Sequence, residues 1–279
     1  MKQIVKNFVK KILEVSLKST IKERNQVSLK NKLMQIVPDV SDQYTAEETD
    51  MNDTYVVHKI YNQHTFQMAL FEKALDMSDK IKNTIVDIGD SAGTNLLYLN
   101  GIYKESNKEL TTLSVNLDSV AIEKIRAKGL NAELCRAEEL HVNFPELKAD
   151  IFSSFEMLEH LFNPISFMHN MAIEAECDYF VVTVPYVKQS RMGKHMTGTF
   201  PEKGTNAENT HIFELSPKDW DIIFNFSGWK VLHRDHYTQY PKWNILNMSK
   251  YIWRKIDVDG FYGVILEKDL TLASRYKDW

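Results

Sequence analysis

What the chain lacks narrows its class before any motif is read. Only two cysteines stand among 279 residues, Cys135 and Cys177. They are isolated, with no Cys-x-x-Cys spacing, so neither a disulfide framework nor a zinc knuckle is indicated. No apolar run approaches the roughly 20 residues that a membrane span needs. Lysines interrupt every apolar stretch near the start, so a signal-peptide core is missing there and a reducing, cytoplasmic setting is the default expectation. A strong positive charge is missing as well. The formal net charge of −4 argues against broad electrostatic capture of nucleic acid, and no nucleic-acid partner is expected. A dinucleotide fingerprint fails too: it would need glycines at 89, 91 and 94, where the chain has Gly89, Ser91 and Thr94.

What is present begins with TIVDIGDSAGTNLLYL, Thr84 to Leu99. The β-branched start suits a strand buried on both faces. Asp87 closes it, Gly89 to Gly93 make a small-residue turn, and Asn95 to Leu99 open a helix. The turn's N–H groups and the helix dipole would converge on an anionic ligand group. Further buried strands are expected at Leu110–Leu117, Ala132 onward, Asp150–Ser154 and Tyr179–Pro185, with two more at Trp229–Tyr237 and Gly260–Glu267. Helices are expected at Val56–Asp79 and at Ser216–Ser227, the latter with Ser216 as N-cap and Pro217 in its first turn. A 43% hydrophobic content over this length can bury one large α/β core plus appendages.

The spacing Asp87, Gly89, Gly93 resembles motif I of the class I S-adenosylmethionine-dependent methyltransferases, with Ser91 in place of the family's middle glycine. The longer stretch ADIFSSFEMLEHLFNPISFMHNM, Ala149 to Met171, is similar to the Asp-x-x-x-x-x-x-Glu-x-Leu-Glu-His-x-x-x-Pro pattern of small-molecule members such as the ubiquinone O-methyltransferases. The resemblance covers about residues 81–268. It implies a Rossmann-like α/β fold: a seven-stranded, mostly parallel sheet in the order 3-2-1-4-5-7-6 with flanking helices. It also implies S-adenosyl-L-methionine as cofactor. Asp87, Gly89, Asp90, Ser91 and Gly93 would form the donor loop. Asn116 stands where the family commonly has an acid for the ribose, with Asp118 either substituting or capping the next helix. Ala137 and Glu138 match the adenine-side segment, where Arg136 replaces an expected Asp. Ser154, Phe155 and Glu156, at a strand C-terminus, would face the methionine part.

Phe155 to Leu161 reads as a helix start, which would put Glu156, Glu159 and His160 on one face. Three roles are open to it. His160 could be a general base oriented by Glu159. The groups could bind a divalent metal with His211 of NTHIFELSPKDW, a segment like that of the small-RNA 2′-O-methyltransferases. Or Glu159 and His160 could simply brace neighbouring loops. The first is preferred, with catalytic residues His160, Glu159 and His211 and no metal. The function expected is methyl transfer to a small polar molecule, most readily O-methylation of a sugar, sugar-nucleotide or glycan precursor. The alternatives are a metal-dependent RNA 2′-O-methyltransferase and a catalytically degenerate interaction module, the latter prompted by Ser91, Asn116 and Arg136.

Residues 1–55 read as a basic helical extension and acidic linker, and 56–279 as the methyltransferase-like domain. Met1 to Lys32 carries nine Lys/Arg against two Glu, with Ile4, Val5, Phe8, Val9, Ile12 and Leu13 at helical spacing. Such a helix could lie on an anionic membrane or, as preferred, pack on its own domain or a second subunit. His58, Tyr61, Gln63 and His64 could cover cofactor or substrate, or only the sheet edge. Lys188, Arg191, Lys194, His195 and Lys203 in a long loop suggest an anionic or sugar-linked small-molecule acceptor. The aromatic insert 240–255 could be a lid, a homo-oligomer face or a lipid-facing patch.

Overall fold

The structure, a computed structural model, describes residues 2–45, 48–145, 148–193 and 210–276. Two helices lead, α1 (Lys2–Glu23) and α2 (Val27–Ile36), followed by the long α3 (Thr54–Met77). Then β1 (Lys82–Ile88), α4 (Thr94–Tyr103), β2 (Glu109–Asn116), α5 (Ser119–Ala127) and β3 (Ala132–Leu134) alternate. A short α6 (Leu140–Asn143) precedes β4 (Ile151–Phe155), α7 (Pro164–Glu174) and β5 (Tyr179–Tyr186). A separate two-stranded ribbon, β6 (Arg191–Met192) with β7 (Phe213–Glu214), leads into α8 (Pro217–Phe226) and β8 (Trp229–Thr238). The last elements are α9 (Lys250–Ile256) and β9 (Gly260–Lys268).

Seven strands form one sheet in the order β3-β2-β1-β4-β5-β9-β8. This is the expected 3-2-1-4-5-7-6 arrangement, the ribbon having taken two numbers. The first five strands are parallel, and β9 runs antiparallel to both neighbours. Alternation along each strand sends side chains to opposite faces. Val86, Phe152, Phe180 and Val264 pack with α7 and α8 through Phe167, Met168 and Trp220. Their neighbours Ile85, Ile151, Val181 and Ile265 pack with α2, α3 and α4. Both sheet faces are therefore covered, which explains why the central strands read as continuous apolar runs.

The leading helix packs on its own chain. Leu13 and Leu17 are buried with Tyr240 and Trp253, and Ile21 with Phe66, Tyr237 and Phe261. At about 2 kcal/mol per buried aliphatic side chain, those three residues tie α1 down. The apolar stripe differs from expectation at its start: Phe8 is exposed, because the contact face runs through Leu13, Ser16, Leu17, Thr20 and Ile21 instead. Ser16 is accommodated there by hydrogen bonds to the Gln239 carbonyl and the Ser249 hydroxyl.

A second difference matters more. Phe155 to Leu161 does not open a helix; Leu158–His160 is a single 3₁₀ turn, and α7 starts only at Pro164 with Asn163 as its N-cap. The proline ring keeps Asn163 extended, so a helix begun near 155 could not run through it. Glu156 lies outside the turn with φ +52°, and the shared helix face of Glu156, Glu159 and His160 does not exist.

Candidate active site

The turn after β1 is built by glycine where the backbone demands it. Gly89 has φ +98° and Gly93 φ +74°, the left-handed region that glycine enters freely. Gly89 donates its N–H to the Val115 carbonyl, which pins the turn to β2. A Cβ on Gly89 would stand 2.8 Å from the Met157 Cγ, so the turn also needs glycine to meet the β4 loop.

The N–H groups that were expected to face a ligand are already engaged. The buried Asp90 carboxylate accepts from the backbone N–H of Ala92, Gly93 and Asn95, at 3.3, 3.0 and 3.2 Å. The start of α4 therefore carries an internal anion. Asp87 lies beneath, accepting from the Ser153 hydroxyl at 2.5 Å and from Asn95 Nδ2 at 3.1 Å. Burial, reinforced by the Asp90 charge, pushes the Asp87 carboxyl up to about 7. Burial also raises Asp90, against the opposing pull of its backbone donors. Burial and mutual repulsion together favour keeping a proton on one of these two acids.

The remaining donor-side residues sort as follows. Ser91 is half-buried in the turn. Asn116 donates to the Asp90 carbonyl at 3.2 Å and accepts from the Asp118 N–H at 2.8 Å, so it braces the loop. Asp118 caps α5, accepting from the Val120 N–H. Ala137 is buried, and Glu138 stands 3.8 Å from Arg136. Phe155 is part of the core against Phe71. Several buried atoms in this region reach no hydrogen-bond partner: Asn95 Oδ1, Glu138 Oε2, Ser154 Oγ and Glu156 Oε1. Buried polar groups are ordinarily paired, so these atoms could accept a ligand's or a water's hydrogen bonds.

On the acceptor side, Glu159, His160 and His211 do come together, although by a different route from the one expected. The segment after the long loop fastens onto the 3₁₀ turn: Ile212 N–H donates to the Glu159 carbonyl at 2.7 Å, and His160 Nδ1 pairs with the Thr210 carbonyl at 2.9 Å. The His211 Nδ1 faces Glu214 at 3.1 Å. With both Nδ1 atoms engaged, both Nε2 atoms turn toward Glu159 Oε1, at 3.7 and 4.0 Å. Those distances are too long for hydrogen bonds. Glu159 is fully buried, and neither of its oxygens has a partner. Burial, then the Glu156 carboxyl, raises Glu159 well above the usual carboxylate range. Burial pushes Glu156 up to about 8, and burial with the nearby His211 takes His160 down to about 4. His160 is thus neutral at pH 7 with its Nε2 lone pair uncommitted, the state a general base needs. One ligand atom from each of Glu159, His160 and His211 lies within 4.8 Å of the others, a spacing that would also accept a metal ion. Glu156 is not part of that group.

Sequence reasoning missed Glu214. It is fully buried; burial opposes its charge, but hydrogen bonds from His211 and Arg191 outweigh that and hold its carboxyl below the ordinary value. Arg191 is accordingly committed to Glu214 rather than to an anionic acceptor. Lys194, His195 and Lys203 lie outside the described residues. Of the α3 group, Tyr61 donates to the Val37 carbonyl and His64 meets the Tyr98 hydroxyl, so both brace the helical layer. Gln67 of α3, which is buried, donates to the Thr183 hydroxyl of β5 at 3.4 Å.

No family model and no curated protein sequence matches the chain. Solved structures do. The [4+2]-cyclase SpnF superposes with a TM-score of 0.54 at 10% identity, covering 86% of this chain and 92% of its own. A SAM-dependent methyltransferase from Archaeoglobus fulgidus gives 0.50 at 14%, covering 78% and 100%. The 1,6-didemethyltoxoflavin-N1-methyltransferase of Burkholderia thailandensis, solved with S-adenosylhomocysteine, gives 0.50 at 12%, covering 74% and 78%. The chain has the methyltransferase fold. At these identities the likeness speaks for the fold alone, and the cyclase among the neighbours shows why chemistry has to be argued from the site.

Proposed function

We propose that the protein transfers a methyl group from S-adenosylmethionine to a small polar acceptor, with O-methylation of a sugar, sugar-nucleotide or glycan precursor preferred. One observation carries the reading: an uncommitted, neutral imidazole at the C-terminal end of β4 stands beside a glycine turn whose buried charges suit a cation. The sulfonium is an activated electrophile when bound. The protein's own part is to hold donor and acceptor in line and to remove one proton. His160 Nε2 takes that proton as the acceptor oxygen attacks. The Thr210 carbonyl fixes the tautomer at Nδ1, and Glu159, kept protonated by burial, lies 3.7 Å from Nε2. Asp87 and Asp90 would favour the positive end of the donor, and Glu138 Oε2 and Ser154 Oγ, which reach no partner, would supply hydrogen bonds to it. A cytoplasmic setting remains part of this proposal; among the described residues no helix is long and apolar enough to cross a membrane.

Calorimetry with S-adenosylmethionine tests the reading. Saturable binding followed by methylation of an offered polyol, detected by product mass, is the expected result. The absence of saturable heat would favour an interaction module.

A second reading is favoured by the aim of the two Nε2 atoms at an unpaired carboxylate. His160, His211 and Glu159 would then hold a divalent cation that acidifies the acceptor hydroxyl, with the Thr210 carbonyl and Glu214 orienting the imidazoles from behind. Loss of activity on chelation, restored by one divalent metal, would select it over the general-base route.

A further inference from the structure

Positive charge is distributed very unevenly in this chain. Residues 1–32 carry nine Lys/Arg against two Glu, a surplus of seven, and 240–256 carry Lys242, Lys250, Arg254 and Lys255 with no acid. These two segments hold a surplus of eleven in a protein of net charge −4. Lys10, Arg24 and Arg254 are ion-paired with Asp53, Asp235 and Asp259, Lys18 with Glu14, and Lys30 is buried against Asn62, while Lys11, Lys22, Lys242 and Lys255 stay exposed. The fold brings them side by side. The Glu23 carboxylate accepts from the backbone N–H of Lys242 and Trp243, and Asn244 donates to the Ser19 hydroxyl. Ser16 meets Ser249, and Trp253 is buried with Leu13 and Leu17.

The outer side of this joint is apolar as well as basic. Phe8, Lys11, Val15, Lys18 and Lys22 step by three or four residues and share the exposed face of α1. The adjoining segment leaves Trp243 85% exposed, Ile245 80%, Met248 63% and Tyr251 61%. An indole this open to water on a soluble surface is unusual, whereas an indole or phenol ringed by lysines suits the headgroup layer of a bilayer.

We infer that the outer face of α1 and residues 242–251 form a docking surface for an anionic lipid bilayer. Charge complementarity selects this occupant. A second copy meeting the same face about a two-fold axis would set lysines against lysines, whereas an anionic leaflet attracts each of them. The segment is also tied to the helical layer: Asp257, just after α9, pairs with Lys59 of α3. The inference does not depend on methyl transfer, because docking is read without donor or acceptor.

The test is cosedimentation of the full chain with vesicles of phosphatidylcholine alone or mixed with phosphatidylglycerol, alongside tryptophan fluorescence. The expected result is salt-sensitive binding to the mixed vesicles with a blue shift, and little binding to phosphatidylcholine. Trp220, Trp229 and Trp253 are buried already, and with Trp279 replaced by Phe in every sample, W243S should abolish the shift. K11E with K22E should weaken binding by at least about 30-fold, from roughly 1 kcal/mol per cation. All these side chains are exposed, so unchanged thermal unfolding checks that the fold survives. Failure of the wild type to bind the mixed vesicles would overturn the inference, as would variants that bind as well as wild type, or a dimer abolished by the same substitutions without vesicle binding.

Discussion

Glu159→Gln should make the metal-free protein more stable, and increasingly so as the pH rises. Glu159 has no exposure, no hydrogen-bond partner on either oxygen, and imidazole nitrogens no nearer than 3.7 Å. An ionised carboxylate there would be uncompensated, so burial holds the proton on it. In the unfolded chain the same group ionises near pH 4.3. A folded pKa raised above the unfolded value contributes stability that is complete below the unfolded pKa and is lost as pH climbs. The loss runs at about 1.4 kcal/mol per pH unit until the folded pKa is reached. Glutamine has the same shape as the protonated acid and does not titrate. At about pH 4 the two proteins should therefore be nearly equal. One unit into the window the variant should lead by roughly 1.4 kcal/mol, and the gap should widen with each further step. Urea titrations in the presence of a chelator, followed by circular dichroism at several pH values, measure it. A difference that stays flat across that range would refute the reasoning. It would mean that the carboxylate is ionised in the folded protein and neutralised by something other than its own proton.

Three further outcomes are expected. His160→Ala should lower turnover by about a hundredfold or more while donor affinity, read by calorimetry, changes little. Because His160 is depressed to about 4, the wild-type acid limb of kcat/KM should fall near that value rather than near the ordinary imidazole range; equal losses in turnover and donor affinity would make the residue structural. Gly89→Ala combines a left-handed φ with a Cβ 2.8 Å from Met157. It should cost on the order of 2–4 kcal/mol in a denaturant titration and abolish saturable donor binding. Asp118→Ala removes only the cap of α5, so it should cost about 1 kcal/mol and leave donor affinity unchanged; a tenfold affinity loss would return Asp118 to the ribose.

The parts of this molecule that were legible in its sequence are those encoded by neighbours. Val86, Ile151 to Phe155 and Val181 to Val184 announce buried strands because a sheet covered on both faces leaves no polar alternation to confuse them. Ser216–Pro217 and Gly89–Gly93 declare a helix start and a turn through backbone geometry that few other residues supply. The errors have physical reasons too. Glu-x-Leu-Glu-His has helical spacing, yet Pro164 four residues on forbids the helix, and a pattern of side chains outweighed one ring. Asp90 looked like a ligand-facing loop residue, but a short carboxylate beside three free N–H groups closes on them itself, as in an N-terminal cap.

The candidate catalytic group was found for an incomplete reason, and the difference bears on mechanism. No local period links His160 to Thr210, His211 and Glu214, some fifty residues away. They meet because Ile212 and the 3₁₀ turn exchange a backbone hydrogen bond and because Arg191 on the facing ribbon strand neutralises Glu214. A helix face would have fixed all three groups rigidly to one element. A turn fastened by a returning strand instead makes the meeting of the two imidazoles about Glu159 conditional on the ribbon. Loss of the Arg191–Glu214 pair should consequently be felt in turnover, through the His211 orientation, more than in affinity for the donor proposed at 89–93.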